Sequence, residues 1–229
     1  MIYLKEFNTT AEYEAFVESG QMKRPNVSLV NEPFTTYYNK YIPLGVFIQH
    51  IDGTLYTEAD WTSGGFSNDE ANGVAVSTEN ARFVIAKTSF KNKVWSSDTN
   101  TLVSGILTTT SKIEAYTDVK GYGNTQLMLA TDTSGAAYAC ANYIFPNGEK
   151  GYLPAYGELH EASLNVDKIN SAMSIIGGVT YSFSGYSWSS TQYSNDSAWC
   201  YSVSSVSKGF DTKNRDYSIN IFVFLKLEI

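Results

Sequence analysis

Tyr186-Ser-Trp-Ser-Ser-Thr191, then Ala198-Trp-Cys-Tyr-Ser-Val-Ser204, and finally Ile219-Asn-Ile-Phe-Val-Phe-Leu225 carry the reading of the fold. In the second piece the period is two. Trp199, Tyr201 and Val203 alternate with Cys200, Ser202 and Ser204, which predicts a strand with one apolar face and one small, polar face. A turn near Lys208-Gly209 separates it from Phe210 onward. Tyr217 to Leu227 then predicts a last strand with Ile219, Ile221, Val223, Leu225 and Leu227 on one side. A slip of one residue would bury the serines, so the pattern fixes the register.

The composition of this region stands apart. Residues 186 to 224 hold ten Ser, four Tyr, three Asn and three Asp, and no Glu, Met, Leu or Pro. Tyr supplies contact area at small rotamer cost and the short polar residues supply adaptable hydrogen bonds, the chemistry of a recognition face.

Upstream, Leu44 to Ile51, Asp52-Gly53 and Thr54 to Thr57 predict a hairpin with an Asp-Gly turn. Val74 to Ser77 and Ala81 to Ala86 add strands. Helices are expected from Asn124, with Asn124 or Thr125 as cap, over Ala136 to Phe145, over Tyr156 to Leu164, and over Asn165 to Ile176 before Gly177-Gly178. Strands flanking a helical middle mean α+β. Thr9 and Glu12 form a capping box ahead of a short helix bearing Tyr13, Phe16 and Val17. Three of the five prolines, Pro25, Pro33 and Pro43, follow it. These features predict a docking arm over residues 1 to 43 and one domain over 44 to 229.

The chain of 229 residues is 43% hydrophobic and 17% charged, as expected of a globular protein with a substantial core. Its formal charge of -7 argues against nucleic acid, whose binding needs a basic footprint, and against an anionic membrane surface. No apolar run reaches the length of a membrane span. Charges at Lys5 and Glu6 predict no secretory leader, hence synthesis in a cytoplasm with release by assembly or lysis. Two cysteines, Cys140 and Cys200, do not make a disulfide scaffold.

Catalytic and metal patterns are weak. His160-Glu161 begins like a zinc-protease helix, but Leu164 stands where the second ligand belongs. His50 reads as a structural histidine. Many serines without a positioned base make no nucleophile. Asn68-Asp-Glu70 and Asp132 read as solvated loops rather than calcium ligands. No catalytic residue, metal or cofactor is expected.

Val76 to Ala86, Gly123-Asn-Thr125, Gly151-Tyr-Leu-Pro-Ala-Tyr-Gly-Glu-Leu159, Ile169-Asn170, Tyr186 to Thr191 and Ala198-Trp199 together resemble the C-type-lectin-fold variable proteins of diversity-generating retroelements. The resemblance covers about residues 44 to 229. Tyr152 departs from a common Trp, and Asn220-Ile-Phe222 from a common Arg-Pro. It implies a lectin-like α+β fold with a diversified C-terminal face that binds a host-surface protein or glycan, on a phage virion or a cell surface. By the same analogy the arm docks to a larger phage assembly and the chain forms a homo-oligomer, plausibly a trimer. Adenine-directed variation cannot produce Lys, Glu, Gln, Met or Trp from an Asn codon. Trp188, Gln192, Trp199, Lys208 and Lys213 are therefore expected to be scaffold. Asp196, Ser197, Cys200, Ser202, Ser204, Ser205, Asp211, Thr212, Arg215, Asp216 and Ser218 are expected to vary, bordered by Tyr193 and Tyr217. Two other readings stand beside it: a structural virion protein without a ligand, and an oxidase resembling the formylglycine-generating enzymes, which share this type of fold but need paired reactive cysteines.

Overall fold

A computed structural model describes residues 42–202, 209–215 and 219–227. The expected arm over 1 to 43 lies almost wholly outside them, as do Lys208 and the proposed variable residues Ser204, Ser205, Asp216, Tyr217 and Ser218. From Pro43 to Glu228 the chain makes one compact unit.

The Asp-Gly signal does what its chemistry requires. Strands β1 (Gly45–His50) and β2 (Leu55–Tyr56) pair antiparallel. Gly53 takes φ +89° and the Asp52 carboxylate accepts the Thr54 N–H at 2.8 Å. Helix α1 (Glu58–Gly64) is capped by the Thr57 hydroxyl and ended by left-handed Gly65. A single 3-10 turn, Asn68–Glu70, leads into β3 (Ala71–Ser77), followed by β4 (Arg82–Lys91).

Five helices follow: α2 (Lys112–Ala115), α3 (Gly121–Leu129), α4 (Ala136–Ala141), α5 (Tyr156–Leu164) and α6 (Val166–Ile175). The chain then returns to strands as β5 (Tyr186–Gln192), β6 (Ser197–Tyr201), β7 (Phe210–Thr212) and β8 (Ile219–Lys226). Among the described residues the strands form one eight-stranded sheet in the order β2-β1-β3-β4-β8-β5-β6-β7. The architecture is α+β. Among the same residues no helix is long and apolar enough to cross a membrane.

The last strand holds the sheet together. β8 lies between β4, antiparallel, and β5, parallel, so it joins the early strands to the late ones. The alternation predicted one buried side for β8, yet both are buried. Phe222 and Phe224 enter a core with Phe83, Tyr181, Leu159, Ile169 and Met173. Ile221 and Val223 are equally buried. A Cβ on Gly151 would fall 2.3 Å from the Val223 side chain, so only glycine lets the loop after α4 lie this close. A nearly continuous apolar run is what a strand covered on both faces needs.

Helix α3 starts earlier than expected. Asn124 and Thr125 are not caps but buried residues within it. The Asn124 amide donates to Asp118 at 3.0 Å and to the Ser190 hydroxyl at 3.2 Å, and the Thr125 hydroxyl bonds Leu153. Gly121 opens the helix because a Cβ there would lie 2.2 Å from a Glu158 carboxylate oxygen. Gly121 and Gly123 are poor helix formers, and the packing overrides that preference.

Glu158 is itself unusual. It reaches back to the Ala155 N–H at 2.8 Å and accepts the Tyr152 hydroxyl at 3.0 Å, all within the core. Burial pushes its carboxyl up to about 8, with the charge of nearby Asp118 acting in the same direction and the donors from Ala155 and Tyr152 against it. The unfolded value is near 4.5. Folding therefore favours the protonated form, and stability is fullest below the unfolded value and is lost as pH rises through the folded one. Glu158→Gln should remove this slope, which is at most ~1.4 kcal/mol per pH unit. Urea unfolding from about pH 5 to about pH 9 checks it: the variant gains on the parent as pH rises, and parallel curves would contradict the assignment.

Candidate functional site

The late strands build a rim at one end of the sheet. β6 pairs with β5 on one side and with β7 on the other, where Ser197 meets Thr212, Ala198 meets Asp211 and Trp199 meets Phe210. The turn from β5 to β6 closes through the Tyr193 and Ser194 N–H groups, both 3.0 Å from the Ser197 carbonyl. The Asp196 carboxylate sits in this turn and accepts the hydroxyls of Ser194 at 2.5 Å and Ser197 at 3.0 Å, which hold its carboxyl below the usual range. Asn195, Asp196, Thr212 and Asn214 are exposed.

Under the rim is an aromatic stack. The rings of Tyr193 and Phe210 lie 3.6 Å apart and nearly parallel, with Trp199 edge-on to Tyr193 at 5.3 Å. The Trp199 indole N–H donates to the Thr109 carbonyl at 2.8 Å. Trp199 and Tyr201 face the core, as the period of two predicts.

Trp188, Gln192, Trp199 and Lys213, four of the residues expected to be scaffold, are all buried. Gln192 uses its whole amide. Its oxygen accepts the Val103 N–H at 2.8 Å, and its nitrogen donates to the Val103 carbonyl at 3.0 Å and the Thr108 hydroxyl at 3.1 Å. Lys213 Nζ donates to the Thr101 carbonyl at 2.9 Å and lies 4.8 Å from the centre of the Trp95 ring. Burial lowers its pKa, and the carboxylates of Asp98 and Asp196 oppose that. Trp95 in turn donates its indole N–H to the Ser189 carbonyl at 2.7 Å, while the Lys213 carbonyl accepts the Trp95 backbone N–H at 2.8 Å. Together these bonds strap the segment from Trp95 to Thr109 to β5 and to the residue after β7.

The proposed variable residues divide. Asp196 and Thr212 are exposed, and Tyr193, Asp211 and Arg215 are half-buried. Cys200 and Ser202 are buried, contrary to the expectation of an open small-residue face, because that face of β6 is covered; Ser197, on the same side of the strand as Trp199 and Tyr201, is buried as well. Arg215 and Asp211 form an ion pair beside Cys200, and the Ser202 hydroxyl donates to the Ser184 carbonyl at 3.3 Å. Ser189, Ser190 and Thr191 are buried as well, and Ser189 and Thr191 donate to the Trp199 carbonyl and the Asp118 carboxylate at 2.8 Å each. Much of the Ser richness of 186 to 224 is thus internal hydrogen bonding, a use that composition alone does not separate from a contact surface.

Cys140 and Cys200 are both buried and unpaired, and burial pushes both thiols far up, away from the thiolate that nucleophilic chemistry needs. His160 holds the Tyr201 hydroxyl at 3.0 Å and packs on the Tyr116 ring at 4.2 Å, and burial lowers its pKa. His50 is set in a cluster of rings with Tyr56, Trp61 and Phe66. Sequence reading missed Trp95 and the segment strapped by Gln192. The available signal was an isolated Trp in a run of Ser, Asp and Asn, since a large indole in such a run needs somewhere to be buried.

No family model matches the chain, and no curated protein matches it in sequence. Among solved structures, a fimbrial protein from Bacteroides ovatus ATCC 8483 is similar in fold, with a TM-score of 0.57 at 14% identity. The likeness covers 80% of this chain and 48% of that one, so this chain spans about half the length of the fimbrial protein.

Proposed function

We propose that the chain is a non-catalytic, adhesin-like binding module that presents the β5–β6 turn and β7 to a host cell-surface protein or glycan. The observation that carries this reading is the contrast within a few residues. Exposed Asn195, Asp196, Thr212 and Asn214 lie within a few residues of buried Gln192, Trp199 and Lys213, so a polar surface rests on a packed base. The fold shared with a fimbrial protein supports a role at a surface. The motif resemblance adds the finer part: a C-type-lectin-like domain diversified by a retroelement, carried on a phage virion through residues 1 to 43 or displayed on a cell surface. Within that reading Tyr193, Asp196, Asp211, Thr212 and Arg215 contact the ligand, and Ser204, Ser205, Asp216, Tyr217 and Ser218 complete the surface. Ser197, Cys200 and Ser202 belong beneath it.

Single contacts on a polar rim are weak, so a homo-oligomer, by the same resemblance a trimer, supplies the affinity through several copies. The reading includes no cofactor, nucleic acid or membrane insertion. Its test is the full chain with Asn195, Asp196, Thr212 and Asn214 all changed to Ala, applied to a panel of intact bacterial cells and read by flow cytometry. Binding to whichever strain holds the parent should fall about tenfold or more. The melting temperature should stay within about 2 °C. Equal binding by both proteins would overturn the proposal.

A further inference from the structure

A second concave surface shares no residue with the rim. It is a cleft of about 480 Å³ between α3, α4 and the end of β8, within the range of small-ligand sites. Its two helical walls repeat one pattern, a Tyr followed one turn later by an amide. On α3 the pair is Tyr122 and Gln126, and on α4 with the residue after it the pair is Tyr138 and Asn142. Residues four apart share one face of a helix, so each ring and its amide line the cleft together.

Both rings are open to solvent, Tyr122 at 46% and Tyr138 at 41% exposure. Tyr122 is braced, standing edge-on to buried Tyr152 with ring centres 6.0 Å apart. The Asn142 amide is held as well. Its nitrogen donates to the Tyr138 carbonyl at 2.9 Å, which leaves its oxygen as an acceptor at an exposed position. That oxygen calls for a donor from the ligand. The charged residues give no preference for an ion. Glu149 and Lys150 bring opposite signs from adjoining positions, and Lys226 Nζ is already engaged with the Tyr122 ring, 5.7 Å from its centre.

We infer that this cleft binds a neutral saccharide. A pyranose has an apolar C–H face that packs on a Tyr ring and an edge of hydroxyls, each of them both donor and acceptor. Such an edge donates to the Asn142 oxygen and pairs with either end of the Gln126 amide. A purely apolar ligand would leave both amides desolvated without partners, at a cost. A carboxylate or phosphate group offers only acceptors, which the Asn142 oxygen cannot use. The ring-and-amide pair on both walls suits a chain of sugar units, which presents the same two surfaces repeatedly.

The test is NMR titration of the isotope-labelled full chain with neutral tetrasaccharides of glucose, galactose and mannose, and separately with tetragalacturonate and with adenosine. At least one neutral sugar should bind with a millimolar-range Kd and shift the side-chain amide signals of Gln126 and Asn142. Tetragalacturonate and adenosine should bind more weakly than that sugar. Gln126→Ala and Tyr138→Ala, both at exposed positions, should each weaken binding about tenfold, whereas Tyr138→Phe keeps the ring and the affinity. The four-residue rim variant should bind the sugar as the parent does, which separates this cleft from the recognition surface above. No binding of any neutral sugar at ~10 mM, binding of tetragalacturonate or adenosine as tight or tighter, undiminished binding by the Ala variants, or loss of binding in Tyr138→Phe or in the rim variant would each overturn the inference.

Discussion

Cys200→Arg is expected to unfold the protein or to cost about 3–5 kcal/mol of stability, because it forces a long cation into a space with no exposed surface. The position is closed on its second side by the Asp211–Arg215 pair, so the new guanidinium would meet an existing one. Chemical unfolding monitored through tryptophan fluorescence measures the loss. Thr212→Arg, made in parallel, should stay within ~0.5 kcal/mol of the parent, since the position is exposed. Both substitutions introduce the same cation, so a difference between them reports the site. A Cys200→Arg protein as stable as the parent would mean that the cover over β6 opens freely, and Cys200 would return to the recognition surface.

Gln192→Leu is the second large effect. The side chain keeps its bulk but strands the Val103 N–H and carbonyl in a buried setting, while the exposed Thr108 hydroxyl turns to water. Each orphaned buried group costs roughly 1–3 kcal/mol, so a total of about 3–4 kcal/mol is expected. The loss should be local first. Hydrogen exchange at Val103 and Thr109, whose N–H groups bond the Gln192 side chain and carbonyl, should accelerate well before exchange in β3 and β4. Uniform acceleration across the sheet would instead make Gln192 a general core residue and remove the strap as a separate unit.

What the sequence discloses follows from which rules act locally. The Asp52-Gly53 hairpin, the helices after Pro154 and Asn165, and the inward side of Trp199 and Tyr201 depend on turn chemistry and period, and all are found, although the Asn165 amide bonds the Glu161 carbonyl instead of capping its helix, which left-handed Gly177 ends. The lodging of β8 between β4 and β5 depends on contacts far apart in the chain, and no local pattern reveals it. The same limit applies to the site. Alternation shows that Cys200 and Ser202 oppose the core side, but small side chains suit a tight cover as well as water, and only the partner residues decide. Lys213 stood among the expected scaffold residues only through the family resemblance, whereas Trp95, its ring partner, had only its isolation to mark it.

The proposed function requires rim and scaffold to be separable: Asn195, Thr212 and Asn214 can change freely, and the residues beneath them cannot. The most direct measurement is a substitution scan of 192–202 and 209–215 on the full chain, scored by protease resistance of the folded protein. Broad tolerance is expected at those three positions and intolerance at Gln192, Ser197, Trp199, Cys200, Tyr201 and Lys213. Tolerance spread evenly over both sets, or concentrated at Cys200 and Ser197, would contradict it.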